Sequence, residues 1–228
     1  MNERTKLLLS EEEINLYQSK NIAIFGVGGV GGYVLEALVR SGFNNIYIYD
    51  FDKIDESNLN RQIISTIDTI GKNKVEVALN RMKLINPNVN LIINNIWIDK
   101  NTIKQIDFNK FDYVVDAIDF VEGKVELIKK CHELNIKIIS SMGTGNKLDP
   151  TKLYITDIQK TNICPLARVM RHKCKELGIK HLKVLASTEN PRKSSSNKVG
   201  SMIFVPASAG LLIASYILRD LIGDLNNA

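Results

Sequence analysis

Short apolar runs alternate with longer amphipathic segments along the first 141 residues. The short runs are apolar at almost every position, which indicates strands buried on both faces of a sheet. Such runs predict five strands, at residues 22–27, 45–50, 89–96, 111–119 and 136–141. The periodic segments between them predict helices, at residues 33–42, 72–85 and 121–134. This alternation predicts a doubly wound, Rossmann-like α/β fold with a mostly parallel sheet.

The pattern changes after Pro150. Two amphipathic strands are predicted at 152–158 and 181–187, with a basic helix at 165–177 between them. A polar segment follows at 191–200, which predicts a loop. We therefore expect an antiparallel β/α segment appended to the parallel sheet.

The most apolar window lies at residues 202–218. Pro206, Gly210 and several serines interrupt it, and it is short for a membrane span, so a buried helix packed on the sheet is the favoured prediction. Without a linker or a repeat, residues 1–228 are expected to form one domain. Its nucleotide-binding part is 21–141, and 151–228 forms the substrate-facing part that closes it.

Charge is divided unevenly along the 228 residues, although the net charge is only +5. Residues 1–119 hold 13 basic and 16 acidic side chains, whereas 160–198 alone hold ten basic and two acidic ones. This excludes an evenly basic, histone-like protein and favours an acidic partner for the second half. The alternative is a solvated basic surface. The predicted nucleic-acid contacts are Arg168, Arg171, Lys173, Lys175, Arg192 and Lys193.

The three cysteines are widely spaced and form no C-x-x-C pair, so neither a disulfide framework nor a four-thiolate zinc site is expected. The N-terminal residues lack the apolar run of a signal peptide. A reducing, cytoplasmic location is the expectation, and peripheral membrane association through the apolar helix stays open.

A glycine-rich loop, GVGGVG at 26–31, follows the first predicted strand and precedes a helix. Unpaired amides at such a helix N-terminus suit a phosphate, and an acid at the end of the next strand, Asp50, suits ribose hydroxyls. The loop alone does not separate NAD, FAD, S-adenosylmethionine and ATP. The predicted contacts in it are Gly26, Gly28, Gly29 and Gly31.

Two cations favour ATP over a dinucleotide. Arg61 lies just past the second strand, and Lys74 lies on the first turn of the next helix, where a triphosphate would need its charge offset. Asp119, at the end of the fourth strand, faces the same crevice and would hold Mg²⁺ beside the phosphates. Asp52 is a further acid predicted at this site.

The motifs GxGGxG, DFDxxxxSNLNRQ, GxxKVE and DAID, in this order, resemble the ubiquitin-activating-enzyme-like adenylyltransferases over 21–141. The resemblance implies an ATP site in which Asp119 is the magnesium-linked catalytic residue. It also implies a homodimer in which Arg4 reaches into the partner's ATP site. The implied ATP-binding residues are Gly29, Asp50, Ser57, Asn58, Arg61, Lys74 and Asp119.

The remaining segments narrow the resemblance. LDPTKLYITDIQKTNICPLARVMRHKCKELGI, STENP and GSMIFVPASAGLLIA are similar to the bacterial tRNA threonylcarbamoyladenosine dehydratases, a branch of that superfamily. This implies ATP-dependent cyclisation of a modified tRNA adenosine, and it allows a sulfur-transfer protein as a further partner. The alternative is adenylation of the C-terminal glycine of a ubiquitin-like or sulfur-carrier protein. The missing zinc cysteines and the basic 160–198 segment favour the tRNA substrate.

Overall fold

The computed structural model describes residues 3–193 and 198–226 of the chain. Over these residues a single sheet is covered by helices on both faces. The strands are β1 (Asn21–Phe25), β2 (Asn45–Tyr49), β3 (Asn90–Asn94), β4 (Tyr113–Asp116), β5 (Lys137–Ser141), β6 (Leu153–Asp157) and β7 (Lys183–Ser187). The α-helices are α1 (Glu11–Gln18), α2 (Gly31–Arg40), α3 (Lys74–Ile85), α4 (Val121–Glu133), α5 (Pro165–Glu176) and α6 (Phe204–Leu221).

The sheet has the strand order β3-β2-β1-β4-β5-β7-β6. All neighbouring strands are parallel except β6, which runs antiparallel to β7. Chain order reverses between β1 and β4, and ligands of doubly wound folds bind in the crevice at such a point. The predicted fold, with its appended antiparallel segment and C-terminal helix, is confirmed.

The apolar runs of the strands reflect cores on both sides of the sheet. In β1, Ile22 and Ile24 pack on one side, where helices α1, α2, α3 and α6 contribute. Ala23 and Phe25 pack on the other side, which α4 covers. Because successive side chains of a strand point to opposite faces, a strand between two cores must be apolar throughout.

Helix α1 was not predicted, although its start carries a clear sequence signal. The Ser10 hydroxyl accepts a hydrogen bond from the Glu13 amide at 3.2 Å, and the Glu13 carboxylate accepts one from the Ser10 amide at 2.8 Å. This capping box satisfies two amides that a helix start leaves unpaired. The helix is anchored by Tyr17, which is fully buried and donates to the Ser41 carbonyl at 2.8 Å.

Helix α6 packs against α2 with one face, so the prediction of a helix buried on the sheet is only partly right. Gly210 makes the approach possible, because a Cβ there would lie 2.5 Å from the Val30 carbonyl oxygen. The opposite face leaves Phe204, Leu211 and Leu212 exposed. By length and composition alone α6 could cross a membrane, but its buried face is that of a core helix.

A candidate nucleotide site beside a basic groove

A cavity of about 510 Å³ opens at the carboxyl ends of β1, β2, β4 and β5. It lies at the reversal in strand order, as the fold predicts. The first turn of α6 closes one side through Pro206. The predicted residues that line it are Gly26, Gly28, Gly29, Asp50, Asp52, Arg61, Lys74 and Asp119.

The glycines of the loop have different roles. Gly26 adopts a φ of +87°, which a residue with a side chain rarely takes. Gly31 does not line the cavity; it lies behind the loop, where a Cβ would come 1.8 Å from the Gly26 carbonyl oxygen. Gly28 and Gly29 face the cavity, and a Cβ on either would meet no atom closer than 3.4 Å. A Cβ would clash at neither position, so close packing does not require a glycine at 28 or 29.

Asp50 is oriented by the backbone around it. Its two carboxylate oxygens accept hydrogen bonds from the Val27 amide at 2.8 Å and from the Asp52 amide at 2.9 Å. Burial raises the pKa of Asp50, and Lys74 together with these two amides opposes that rise. Each oxygen keeps a lone pair that could accept a hydrogen bond from a ribose hydroxyl.

An ion pair with Asp52 positions Lys74 at the cavity. Its Nζ lies 2.6 Å from the Asp52 carboxylate, and its own amide donates to the Asp52 carbonyl at 2.9 Å. Lys74 is only 5% exposed, whereas the Asp52 side chain is nearly half exposed. A bound phosphate could therefore share this ammonium group with Asp52.

Ser57 and Asn58 do not line the cavity; they build the turn that carries Arg61. The Asn58 side-chain oxygen accepts from the Asp55 amide at 3.1 Å. The Ser57 carbonyl accepts from the Arg61 guanidinium at 2.7 Å, and Asn60 accepts from it at 3.0 Å. Neither residue is in the cavity wall, so the implied role of Ser57 and Asn58 as direct ATP contacts stays a prediction.

Asp119 lies three residues beyond the end of β4, where it is exposed and lines the cavity. Its carboxylate makes no hydrogen bond or ion pair with any other residue that the structure describes. The described residues also hold no group of three His, Cys, Asp or Glu side chains that could bind a metal. One free carboxylate fits Mg²⁺, which usually shares one or two protein carboxylates with phosphate oxygens and water.

A fully buried ion pair joins Asp116, the last residue of β4, to α4, and the sequence did not predict it. Lys124 of α4 donates to the Asp116 carboxylate at 3.0 Å and to the Ser141 carbonyl at 2.8 Å. The Asp116 carboxylate also accepts from the Ser140 hydroxyl at 2.5 Å and from the Ile118 amide at 3.2 Å. This network ties the ends of β4 and β5, which both line the cavity, to α4.

Three aromatic side chains form one rim of the cavity. Trp97 stacks on Phe120 with ring centroids 4.0 Å apart, and Phe51 meets Trp97 edge-on at 4.3 Å. Phe51 and Phe120 line the cavity directly. An apolar, aromatic wall suits the face of a nucleobase. Because these rings come from three separate segments, no local sequence motif predicts that they lie together.

Arg4 lies away from the cavity of its own chain. Its neighbours Glu3 and Lys6 line a separate pocket with Gly42 and Asn86, which precede β2 and β3 at the amino edge of the sheet. Arg4 was predicted to act in the ATP site of a partner subunit, and that role stays a prediction.

A second, larger cavity of about 1250 Å³ runs along α5 and is lined by basic side chains. Arg168 and Lys175 line it, and Arg171 does so while also donating to the Thr161 carbonyl at 2.6 Å. None of the described residues that line this cavity, which we call the basic groove, is acidic. His172 and Lys180 also line it.

The other three predicted nucleic-acid residues lie outside the basic groove. Lys173 pairs with Glu176 at 2.9 Å. Arg192 and Lys193 are exposed on the segment whose Arg192 amide donates to Asn146 at 2.7 Å. That contact places them next to the loop after β5, which lines the nucleotide cavity.

The first turn of α5 separates the two cavities. Leu166 faces the nucleotide cavity, while Pro165 and Arg168 face the basic groove. A ligand could therefore place a group that reacts with a bound nucleotide in one cavity and its backbone phosphates in the other, because a single helical turn separates the two.

Comparison with known sequences decides the family. The sequence model of the ThiF family matches residues 4–228. The chain belongs to the ThiF family. This ThiF-family chain is 36% identical to the tRNA threonylcarbamoyladenosine dehydratase of Bacillus subtilis over an alignment that covers 97% of this chain and 94% of that protein.

Solved structures agree with the sequence comparison. The ThiF-family chain superposes on Escherichia coli tRNA N6-threonylcarbamoyladenosine dehydratase, TcdA, in complex with ATP, with a TM-score of 0.91 and 30% identity. That match covers 98% of this chain and 94% of the other. The SUMO-activating enzyme subunit 2 of Dictyostelium discoideum is 31% identical, but over only 60% of this chain and 21% of that protein. The likeness to modifier-activating enzymes is thus confined to part of the chain.

Proposed function

We propose that this ThiF-family chain is an ATP-dependent tRNA threonylcarbamoyladenosine dehydratase. The observation that carries the proposal is the position of the nucleotide cavity, with Arg61, Lys74 and Asp119, one helical turn from the basic groove. Near full-length similarity to the Bacillus subtilis dehydratase supports it. So do the Escherichia coli dehydratase structures, which contain AMP and ATP.

The chemistry requires two displacements. The substrate carboxylate attacks the α-phosphorus of ATP, and the bond to the β-phosphate breaks, so pyrophosphate leaves. A nitrogen or oxygen of the carbamoyl group then attacks the acyl carbon, a carbamoyl nitrogen loses its proton, and AMP leaves with one former carboxylate oxygen. A ring forms, and the nucleoside has lost the mass of one water.

The residues of the cavity align ATP and offset charge. Glycine-loop amides and the Arg61 and Lys74 cations would bind the phosphates, and Asp50 would fix the ribose. Magnesium, held by Asp119, would supply charge neutralisation at the phosphates. These effects are positioning and electrostatic stabilisation, which suffice when the substrate provides its own nucleophiles.

No thiol is needed for this route, and the cysteines do not suggest one. Cys131, Cys164 and Cys174 are all buried. Burial raises the pKa of the Cys174 thiol to about 11, and burial likewise raises the pKa of Cys131. Because the thiolate is the reactive form, these two groups are inert near neutral pH.

A direct assay tests the proposed function. Purified protein with ATP, Mg²⁺ and tRNA that carries threonylcarbamoyladenosine should release AMP. Mass spectrometry of the digested tRNA should show that nucleoside lighter by one water. Equal AMP release with tRNA that lacks the modification would refute the substrate assignment, and a ubiquitin-like carrier protein could then be tested in its place.

The basic groove is proposed to bind tRNA phosphates, and Arg168 offers the cleanest test. It is exposed and makes no ion pair with another described residue. Reversing its charge with Arg168→Glu should raise the dissociation constant for tRNA about tenfold at low salt, because a phosphate contact becomes a repulsion. Filter binding over a salt series measures this.

The matched control is Lys104→Glu, at an exposed lysine outside both cavities that makes the same change in net charge. It should leave tRNA affinity within about twofold of the wild type, since it lies outside the proposed contact surface. ATP affinity should be unchanged in both variants. Equal loss of tRNA binding in the two variants would mean that only net charge matters.

A homodimer is also part of the proposal. Arg4 lies at the amino edge of the sheet, so only a second copy could bring it to an ATP cavity. Exposed apolar side chains such as Leu7, Leu8 and Phe204 offer contact surface for that copy. A cytoplasmic location and a sulfur-transfer protein partner stay predictions.

A further inference from the structure

The loop after β5 forms part of the wall of the nucleotide cavity and carries hydrogen-bond donors. Gly143, Thr144 and Gly145 line it. Their backbone amides, and the Thr144 hydroxyl, bond to no other residue that the structure describes. Such donors must find water or a ligand, because a backbone amide left without a partner is costly. A run of three amides and a hydroxyl suits an anion.

A buried cation stands behind this loop. Lys147 is only 3% exposed, and its ammonium group donates to the Gly143 carbonyl at 2.5 Å. That carbonyl and the Thr144 amide belong to one peptide group, so the nearby positive charge polarises the amide and strengthens it as a donor. Burial lowers the pKa of Lys147, and Cys164 and Glu189 oppose that effect.

Hydrogen bonds to Gly200 also hold the loop in place. Asn146 adopts a φ of 57° and exchanges two hydrogen bonds with Gly200. Its amide donates to the Gly200 carbonyl at 2.7 Å, and its side-chain oxygen accepts from the Gly200 amide at 2.6 Å. Donors fixed in this way need no rearrangement when a ligand arrives, which is the condition for strong electrostatic stabilisation.

The position of the loop separates it from the phosphate-binding cations. Arg61 and Lys74 lie near the ends of β1 and β2, whereas the loop follows β5, two strands beyond β1. That is about 10 Å at the usual spacing of strands. In-line displacement at phosphorus places the entering and leaving oxygens on opposite sides. If pyrophosphate leaves toward the cations, the carboxylate enters from the side of this loop.

We propose that the loop of residues 143–147 binds the carboxylate of the substrate before it attacks ATP. Thr144 is the specificity-determining residue, and Lys147 is a positioning residue that acts through the Gly143 carbonyl. This rests on the proposed function, because that reaction supplies a carboxylate. The cavity's acids, Asp50, Asp52 and Asp119, lie toward β2 and β4, so no acid from this loop repels the incoming group.

Thr144 gives the direct test, through Thr144→Val and its matched control Thr144→Ser. Valine keeps the shape and removes the donor, whereas serine keeps the donor. Thr144→Val should lower kcat/KM for the modified tRNA about 10- to 100-fold, as expected when a hydrogen bond to a charged group is lost. The KM for ATP should change less than about twofold, and Thr144→Ser should stay near the wild type.

ATP binding can be followed separately by fluorescence. The chain has a single tryptophan, Trp97, and it contacts Phe51 and Phe120 at the cavity rim. Titrating each variant with ATP alone should give an unchanged dissociation constant. Lys147→Met should reproduce the Thr144→Val pattern, and Lys147→Arg should restore part of the activity, because it keeps a donor to the Gly143 carbonyl.

Two results would overturn the inference. If Thr144→Val weakens ATP binding instead of the use of tRNA, the loop holds a phosphate. If neither parameter changes, the loop is not an anion site. Failure of the proposed function is distinguishable from both, because the wild-type protein would then leave the mass of the modified nucleoside unchanged.

Discussion

Replacing Asp119 by asparagine is expected to lower kcat for AMP formation by about 100- to 1000-fold. The carboxylate lines the nucleotide cavity and has no partner among the described residues, so its charge is available to a metal at the phosphates. Asparagine keeps the shape but removes the charge. Steady-state kinetics with ATP, Mg²⁺ and modified tRNA measures the loss.

Glu122→Gln is the matched control, because Glu122 is an exposed carboxylate three residues farther along that lies outside the cavity wall. It should retain full activity. The melting temperature of Asp119→Asn should equal that of the wild type, since Asp119 makes no described contact that stabilises the fold. An Asp119→Asn enzyme with normal turnover would remove this residue from the mechanism.

The same variant tests the proposed dimer. Mixed with an Arg4→Ala chain, it should regain about a quarter of the wild-type activity. Random exchange makes half of the dimers mixed, and each mixed dimer has one intact site. No recovery after subunit exchange, with both variants inactive alone, would place Arg4 outside the partner's site.

Lys124→Met is expected to reduce the free energy of unfolding by about 3–5 kcal/mol. Lys124 and Asp116 are both completely buried, so methionine leaves the Asp116 carboxylate in an apolar interior without its counter-charge. Urea denaturation followed by circular dichroism gives the free energy. The shape of the nucleotide cavity should change as well, because Lys124 also donates a hydrogen bond to the carbonyl of Ser141, which lines the cavity.

The double variant Lys124→Met, Asp116→Asn separates lost pairing from lost packing. A neutral amide at 116 avoids the buried charge, so the double variant should regain at least half of the stability that the single variant loses. A single variant that loses less than about 1 kcal/mol would mean that the carboxylate takes up a proton or water at little cost.

Sequence reasoning found the fold because fully apolar strands occur only where both faces of a sheet are covered. It placed Asp50, Lys74 and Asp119 around one cavity because each lies at or near the end of a strand or helix, and the topology brings such ends together. Arg61 reaches the same cavity from the turn after residues 56–58. The burial of Lys124 was not predicted, because a lysine on a helix normally faces solvent. Its burial depends on Asp116 and Ser140, which only the assembled sheet places within reach.

Charge counting located the basic half of the protein but not its geometry. Arg168, Arg171 and Lys175 share the basic groove because they lie on one face of α5, at helical spacing. Lys173, between them in sequence, turns away and pairs with Glu176. Arg171 also donates to Thr161, an internal contact that no count of charges predicts.

The contact of α6 with the glycine loop has a consequence for synthesis of the protein. Pro206 forms part of the nucleotide cavity, and Gly210 lies against Val30, at the start of α2. Residues near position 30 therefore meet α6 only after about 180 further residues have been made. During translation the loop sequence exists long before the wall that completes its site. A ribosome-bound chain should acquire its nucleotide site last, in a single late step, rather than as its first folded unit.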